Sequence, residues 1–224
     1  TPTLENYVNM TENYDYWRFA TNSVITSVLA TILTLVVGIP AAYAMAFNPS
    51  RATKDVLMWM LSTKMLPAAG VLYPMTFLTK SLGLFDTHFL VILVLSLINL
   101  PIVIWMLFTY FKEIPKDIIE AGQMDGVSTW GEVREILIPL AWGGIASTAL
   151  LCFIFCWNEA YWTVRLTTTD AATLSKLIEG NRAPEGLFFG RLSAVSAAAV
   201  GPIVVLGWFC QKQLVQGLTF GAVK

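Results

Sequence analysis

Charge is what this chain has least of. Only 13% of its 224 residues are charged, 56% are hydrophobic, and mean hydropathy is +0.64. Soluble domains carry roughly 25% charged residues, so a water-soluble fold would be short of solvating surface, and the class is membrane protein. A net charge of -1 supplies neither a basic face for nucleic acid nor an acidic tail. Histidine occurs once, at His88, so a histidine metal site or a catalytic triad has no second member. The three cysteines, Cys152, Cys156 and Cys210, all sit in apolar runs. They form neither a C-x-x-C pair nor a disulfide framework, and are expected to act as small buried hydrophobes. No GxxxxGK[ST] phosphate loop occurs, so ATP cannot be held by that device. The chain opens at Thr1 with neither a methionine nor a signal-peptide pattern, and reads as a portion of something longer.

What is present is a series of apolar runs. They fall at about 22–46, 56–77, 89–111, 140–161 and 192–209, and are read as crossings of roughly 30 Å of hydrocarbon. The expected fold is an all-α membrane protein with five transmembrane helices in one permease-like domain, 1–224. Tyr14, Tyr16 and Trp17 before the first run suit an aromatic belt. The second run contains Lys64, Pro67, Gly70 and Pro74, which predicts a kinked or broken helix. Such backbone survives at membrane depth only against protein or a water-filled cavity. The third run carries Asn99 and Pro101, and the fourth ends in Trp157, Asn158, Glu159, Tyr161 and Trp162. Residues 1–16 and 163–190 are polar, the latter with NRAPEG as a turn signal. Five crossings place the termini on opposite sides. The basic residues divide seven against six between those sides, so the positive-inside rule does not orient them.

One long segment is both polar and patterned: PKDIIEAGQMDGVSTWGEVREILIP, residues 115–139. Pro115 suits the first turn of a helix. Ile114, Ile118 and Ala121 follow at i, i+4, i+7, while Lys116 and Glu120 form an exposed i, i+4 pair. Gly126 marks a left-handed residue that ends the helix. Thr129 with Glu132 is a capping-box signature for a second helix running towards Pro139.

These residues carry a resemblance. Glu120-Ala121-Gly122, Asp125-Gly126 and Ile136-Leu137-Ile138-Pro139 resemble the EAA loop of ABC importer permeases, whose pattern is EAA, three residues, Gly, nine residues, then I-x-L-P. Gly122 stands for the second Ala and Ile138 for Leu, both conservative in size. PTLENY, GIPAAYAMAF and GLTFGAVK look like the carbohydrate-uptake group of that family. STKMLP, INLPIVIWM and WNEAYW look closest to its polyol (mannitol and sorbitol) permeases. The resemblance implies six spans in a full-length member, with one before Thr1. It implies a cytoplasmic EAA loop, and therefore a cytoplasmic 48–55 and tail, with 1–16, 80–88 and 163–190 facing the periplasm. It also implies a multi-pass inner-membrane protein that works with a second permease chain as a heterodimer, two ATPase subunits and a periplasmic substrate-binding protein. The chain itself would bind no cofactor and no metal, with ATP and Mg held by the ATPases.

In that reading Glu120, Ala121, Gly122, Asp125 and Gly126 form the ATPase-coupling element. An ionisable group in a span costs about 3 kcal/mol and usually faces a cavity or partner. Lys64 is thus a substrate-path candidate, with Asn99 as a weaker polar one. Trp157, Asn158, Glu159 and Tyr161 combine donors, acceptors and aromatic faces suited to a hydroxyl-rich ligand. Lys64 could instead pair with a carboxylate such as Glu159, and Asn99 with a neighbouring helix. The expected substrate is a sugar or polyol, with an anionic (acidic or sulfonated) monosaccharide as the alternative. An ion-coupled secondary transporter is the rival of a different class. An intramembrane enzyme is disfavoured because Glu159 has no catalytic partner within the spans, and a passive scaffold because of the broken span and Lys64.

Overall fold

A computed structural model of the chain describes residues 4–181 and 189–211. Its regular structure there is helical, and no strand occurs among the described residues. After α1 (Glu5–Asn13), α2 runs 32 residues from Tyr16 to Phe47, roughly 48 Å at 1.5 Å per residue. Its side chains are arranged inside out relative to a soluble helix. Val24, Ile25, Val28, Leu29, Ile32, Leu33, Val36 and Val37 are exposed, while Asn22, Ser23, Thr26, Ser27, Thr31 and Thr34 are buried. Small hydroxyl residues inside and aliphatics outside are what lipid selects, because hydrocarbon does not drive apolar groups inward. The buried hydroxyl of Thr26 is satisfied within the helix, donating to the Asn22 carbonyl at 2.8 Å.

The second apolar run is broken, as the sequence predicts. α3 (Thr53–Thr63) stops at Lys64 and α4 (Ala68–Ser81) restarts after Pro67. α5 (His88–Lys112) is continuous through Pro101. α6 (Lys116–Met124) leads to a short α7 (Thr129–Gly131), a π-helical stretch Glu132–Leu137, and α8 (Ile138–Leu140). α9 (Trp142–Asn158) then departs at 85° from the preceding 129–140 segment. α10 (Tyr161–Leu166), α11 (Leu174–Gly180) and α12 (Phe189–Phe209) complete the described chain. Among the described residues, three helices are long and apolar enough to cross a membrane, and up to five spans result if each bent pair counts as one.

The chain divides into two compact units. One is drawn from Thr1–Ala30, Pro67–Leu95 and Ile154–Phe209, the other from Thr31–Leu66, Ser96–Phe153 and Cys210–Lys224. In the second, Gly38 lets α2 approach α5: a Cβ there would lie 3.1 Å from Val103 Cγ1. Gly144 of α9 faces the ring of Tyr110, whose Cγ would lie 2.7 Å from an added Cβ. Cys152 is buried on the part of α9 that belongs to this unit, and Cys156 is buried on the part that belongs to the first. In the first unit, the polar stretch after the fourth apolar run is packed rather than loose, with Leu166, Ala171, Ala172, Leu174 and Leu177 all buried. Most of NRAPEG, and all of GLTFGAVK, lie outside the described residues.

Candidate functional site

The 115–139 element is built by its own punctuation. Pro115 takes the N-cap position, one residue before α6. Gly126 is left-handed, φ +78°, and closes a two-bond cap: its N–H donates to Gln123 O and Val127 N–H to Gly122 O, both at 3.0 Å. That pairing is the Schellman arrangement, which fixes the exit direction of the chain. The capping box predicted at Thr129 and Glu132 does not form. Ser128 is the N-cap, and its Oγ accepts the Gly131 N–H at 3.3 Å.

Glu132 turns inward instead. It is 2% exposed, its Oε2 accepts the hydroxyl of Tyr43, itself 3% exposed, and Gln123 Nε2 lies 3.4 Å from the same oxygen. Tyr43 belongs to α2, so this buried pair ties the helix–turn–helix element to an apolar helix. The inner face of α6 is also displaced from the predicted stripe. Ile119 and Gly122 are buried, and a Cβ at Gly122 would lie 2.5 Å from Ile136 Cδ1. Gly122 therefore seats α6 against its own chain. Ile118 and Ala121 face outward with Met124 and Trp130, beside exposed Glu120 and Asp125.

The substrate-path candidates separate into two groups. Lys64 and Asn99 belong to the unit that carries the helix–turn–helix element. Lys64 caps the C-terminus of α3, where a cation suits the helix dipole, and its Nζ donates to the Ile98 carbonyl at 2.5 Å. That carbonyl lies in the turn before Pro101 of the continuous α5. Asn99, in the same turn, is 2% exposed.

In the other unit, Trp157, Asn158 and Tyr161 converge on a cleft of about 490 Å³. Arg165, Ser175 and Glu179 share its wall. Trp157 Nε1 is already engaged, donating to Ala199 O at 3.2 Å, and Asn158 Nδ2 donates to Ile154 O at 2.9 Å. Glu159 does not line the cleft. Its Oε1 accepts the Trp162 N–H at 3.1 Å at the start of α10, which makes it a local cap. Arg165 escaped sequence reasoning, although it follows Tyr161 by i+4 and so shares its helix face.

A second feature hidden from the sequence holds the segment leading into α11. Asp86, left-handed at φ 61°, receives the backbone N–H groups of Thr168, Thr169, Asp170 and Ala171 at 2.8–3.2 Å, and both threonine hydroxyls. Burial raises the pKa of the Asp86 carboxyl, but the hydrogen bonds from Thr168, Thr169 and Asp170 outweigh it and hold the group well below the usual carboxylate range. Asn22 reinforces the clamp by donating to Asp170 O and Ala172 O at 2.9 and 2.8 Å, and its Oδ1 pairs with His88 Nε2 at 2.8 Å. Arg18 adds a 3.0 Å ion pair with Asp170.

Comparison with known proteins agrees with this architecture. Residues 38–218 match the family model described as binding-protein-dependent transport system inner membrane component. Among relatives, the trehalose transport system permease protein SugB of Mycobacterium tuberculosis is 31% identical over 227 residues, covering 100% of this chain and 83% of that protein. The sulfoquinovosyl glycerol transport system permease protein SmoH of Agrobacterium fabrum is 28% identical over 226 residues, covering 100% and 79%. The fold matches, at TM-score 0.73 and 21% identity, a chain in the crystal structure of a bacterial ABC transporter involved in the import of the acidic polysaccharide alginate, over 92% of this chain and 78% of that one. This membership sets aside the ion-coupled secondary transporter. The chain belongs to the binding-protein-dependent inner-membrane component family: it is an integral inner-membrane permease subunit of an ABC importer.

Proposed function

We propose that this permease passes a sugar or sugar alcohol, with a polyol as the first choice, and that its 115–139 element couples the spans to ATPase subunits. The observation that carries the coupling reading is the two-faced build of that element. Ile119, Gly122 and Glu132 are buried in the chain, whereas Ile118, Ala121, Met124 and Trp130 lie exposed beside Glu120 and Asp125. Exposed apolar groups rimmed by charge mark a protein docking surface. Two ATPase subunits holding ATP and Mg, a second permease chain and a periplasmic binding protein complete the machine. ATP-driven closure would act through Glu120, Ala121, Asp125 and Gly126 and rock the spans between two discrete packings.

The orientation proposed is the one that the resemblance to the EAA loop implies. Residues 1–16, 80–88 and 163–190, assigned to the periplasm, belong to one unit, and 48–55 and 115–139, assigned to the cytoplasm, belong to the other.

For the solute, the cleft at Trp157, Asn158 and Tyr161 supports a hydroxyl-rich ligand. An anionic monosaccharide is the second reading, favoured by Arg165 on the same wall and by the sulfonated sugar in the name of one relative. Lys64 suits the role less well, because its ammonium already holds the Ile98 carbonyl. Calorimetry of the partner receptor with hexitols, neutral sugars and acidic sugars decides among these. Hexitol binding supports the first choice, binding of acidic sugars alone replaces it with the second, and binding of none of the three refutes both. Lys64→Ala with normal uptake and normal substrate-stimulated ATPase activity removes Lys64 from the path.

A further inference from the structure

A second cleft, of about 320 Å³, lies in the unit that carries the helix–turn–helix element, at the ends of two apolar helices. Three cations line it: Arg51 and Lys54, which follow the end of α2, and Lys112, the last residue of α5. Among the described residues no carboxylate lines it; Asp55 and Glu113 are the chain neighbours of two of the cations but do not contribute to the wall. Ser50 and Thr53 add hydroxyls at the first turn of α3, where Ser50 N donates to Thr53 Oγ1 at 2.8 Å. The remaining wall is apolar. Leu57 and Met58 come from α3, and Trp105 and Phe108 lie two turns and one turn before Lys112 on α5. The Lys112 ammonium sits 5.9 Å from the Phe108 ring, and Met58 and Trp105 are exposed.

The ligand this arrangement fits is anionic at one end and hydrocarbon at the other. α2 and α5 are both long and apolar enough to cross a membrane, so their terminal residues fall at headgroup depth, and the exposed Trp105 suits that interface. We propose that this cleft is a binding site for an anionic phospholipid, with Arg51, Lys54 and Lys112 on the phosphate and Leu57, Met58, Trp105 and Phe108 against the proximal acyl chain. Basic pockets between transmembrane helices take anionic lipid headgroups for the same reason: the phosphate is the nearest unpaired charge in the plane of the membrane. The site does not depend on which solute the importer carries. Lipid seated there would brace the 48–52 connection, which joins α2, the helix of Tyr43, to the broken second span.

Native mass spectrometry of the assembled transporter in mild detergent, titrated with dioleoyl phosphatidylglycerol or dioleoyl phosphatidylcholine, tests the proposal. Each basic residue at an anionic surface contributes roughly a fivefold factor. R51Q/K54Q/K112Q should therefore weaken phosphatidylglycerol binding by about two orders of magnitude, to the level of phosphatidylcholine. R51K/K54R/K112R should retain it. sn-Glycerol 3-phosphate at the same concentration should fail to displace the lipid. Equal binding of the two lipids by the unaltered transporter overturns the proposal without any variant. Unchanged binding in the glutamine variant, or displacement by glycerol 3-phosphate as effective as by lipid, overturns it too.

Discussion

Tyr43→Phe removes one oxygen from the chain, and its effect can be worked out from the pair it breaks. The Tyr43 hydroxyl and Glu132 carboxyl are almost fully buried, and among the described residues the other donor on Oε2, Gln123 Nε2, is long at 3.4 Å. Tyr43→Phe therefore leaves a buried carboxyl underpaired, at a cost of about 1.5–3 kcal/mol. Glu132→Ala orphans the hydroxyl and adds a void, costing about 2–4 kcal/mol. Glu132→Gln still offers an oxygen to the hydroxyl, and should cost about 1 kcal/mol or less. The double variant Tyr43→Phe/Glu132→Ala leaves nothing orphaned, so its loss should fall short of the summed single losses by about 1.5–3 kcal/mol. Chemical unfolding of the solubilised protein, followed by tryptophan fluorescence, gives the cycle. Because the pair joins α2 to the proposed coupling element, Tyr43→Phe should also lower ATP-driven uptake more than it lowers ATP hydrolysis. Losses that add within about 0.5 kcal/mol, with uptake and hydrolysis falling together, would refute the reasoning.

Gly122→Ala should be nearly neutral, because the obstructing atom is the terminal methyl of Ile136; the strain of turning it, about 1 kcal/mol, is offset by the helix propensity gained. Gly122→Leu cannot be accommodated by that rotation and should abolish uptake; normal transport by it would contradict the seating of α6. Gly144→Ala meets the fixed base of the Tyr110 ring and should destabilise by about 1–3 kcal/mol, read as a lower unfolding midpoint. The Asp86 clamp predicts a pH dependence of definite sign. The folded pKa is depressed, so its contribution is complete above the ordinary carboxylate value of about 3.9 and is lost as pH falls through the lowered folded value. Hydrogen exchange at 168–171 should thus accelerate, relative to intrinsic rates, only in strong acid. Asp86→Asn, which tolerates the left-handed backbone, should accelerate it at neutral pH as well. Half-exposure keeps that loss near 1–2 kcal/mol.

What was legible in the sequence was written in backbone chemistry. Pro67 and Lys64 announced the break between α3 and α4, Gly126 its left-handed turn, and Pro115 the start of α6 to within one residue. Those residues act on their immediate neighbours, so no tertiary information was needed. The capping box failed because Glu132 found a partner 89 residues away, and a buried tyrosine hydroxyl competes well with an exposed backbone N–H. The α6 stripe was misplaced for a related reason: periodicity shows that Ile118 and Ala121 share a face, not whose surface covers it. Asp86 and its donors are 82–85 residues apart, and nothing in either local pattern marks the pairing. Of the aromatic–amide cluster, Trp157, Asn158 and Tyr161 meet on one cleft, while the adjoining Glu159 is taken by a helix end.

The central claim is that residues 115–139 transmit ATP-driven motion to the spans, and Gly126 tests it most directly. Its φ of +78° lies far from the -65° that proline imposes, and its N–H is used in the cap, so Gly126→Pro must redirect the second arm. Gly126→Ala meets no atom within 4 Å and bears only the left-handed penalty of about 1–2 kcal/mol. The measurement is paired uptake and ATP hydrolysis in proteoliposomes carrying the complete importer with its receptor. The account predicts that Gly126→Pro inserts normally and leaves ligand binding by the receptor intact, yet shows no uptake and no stimulation of hydrolysis by loaded receptor, while Gly126→Ala retains most of both. Uptake at the normal rate by Gly126→Pro would contradict it.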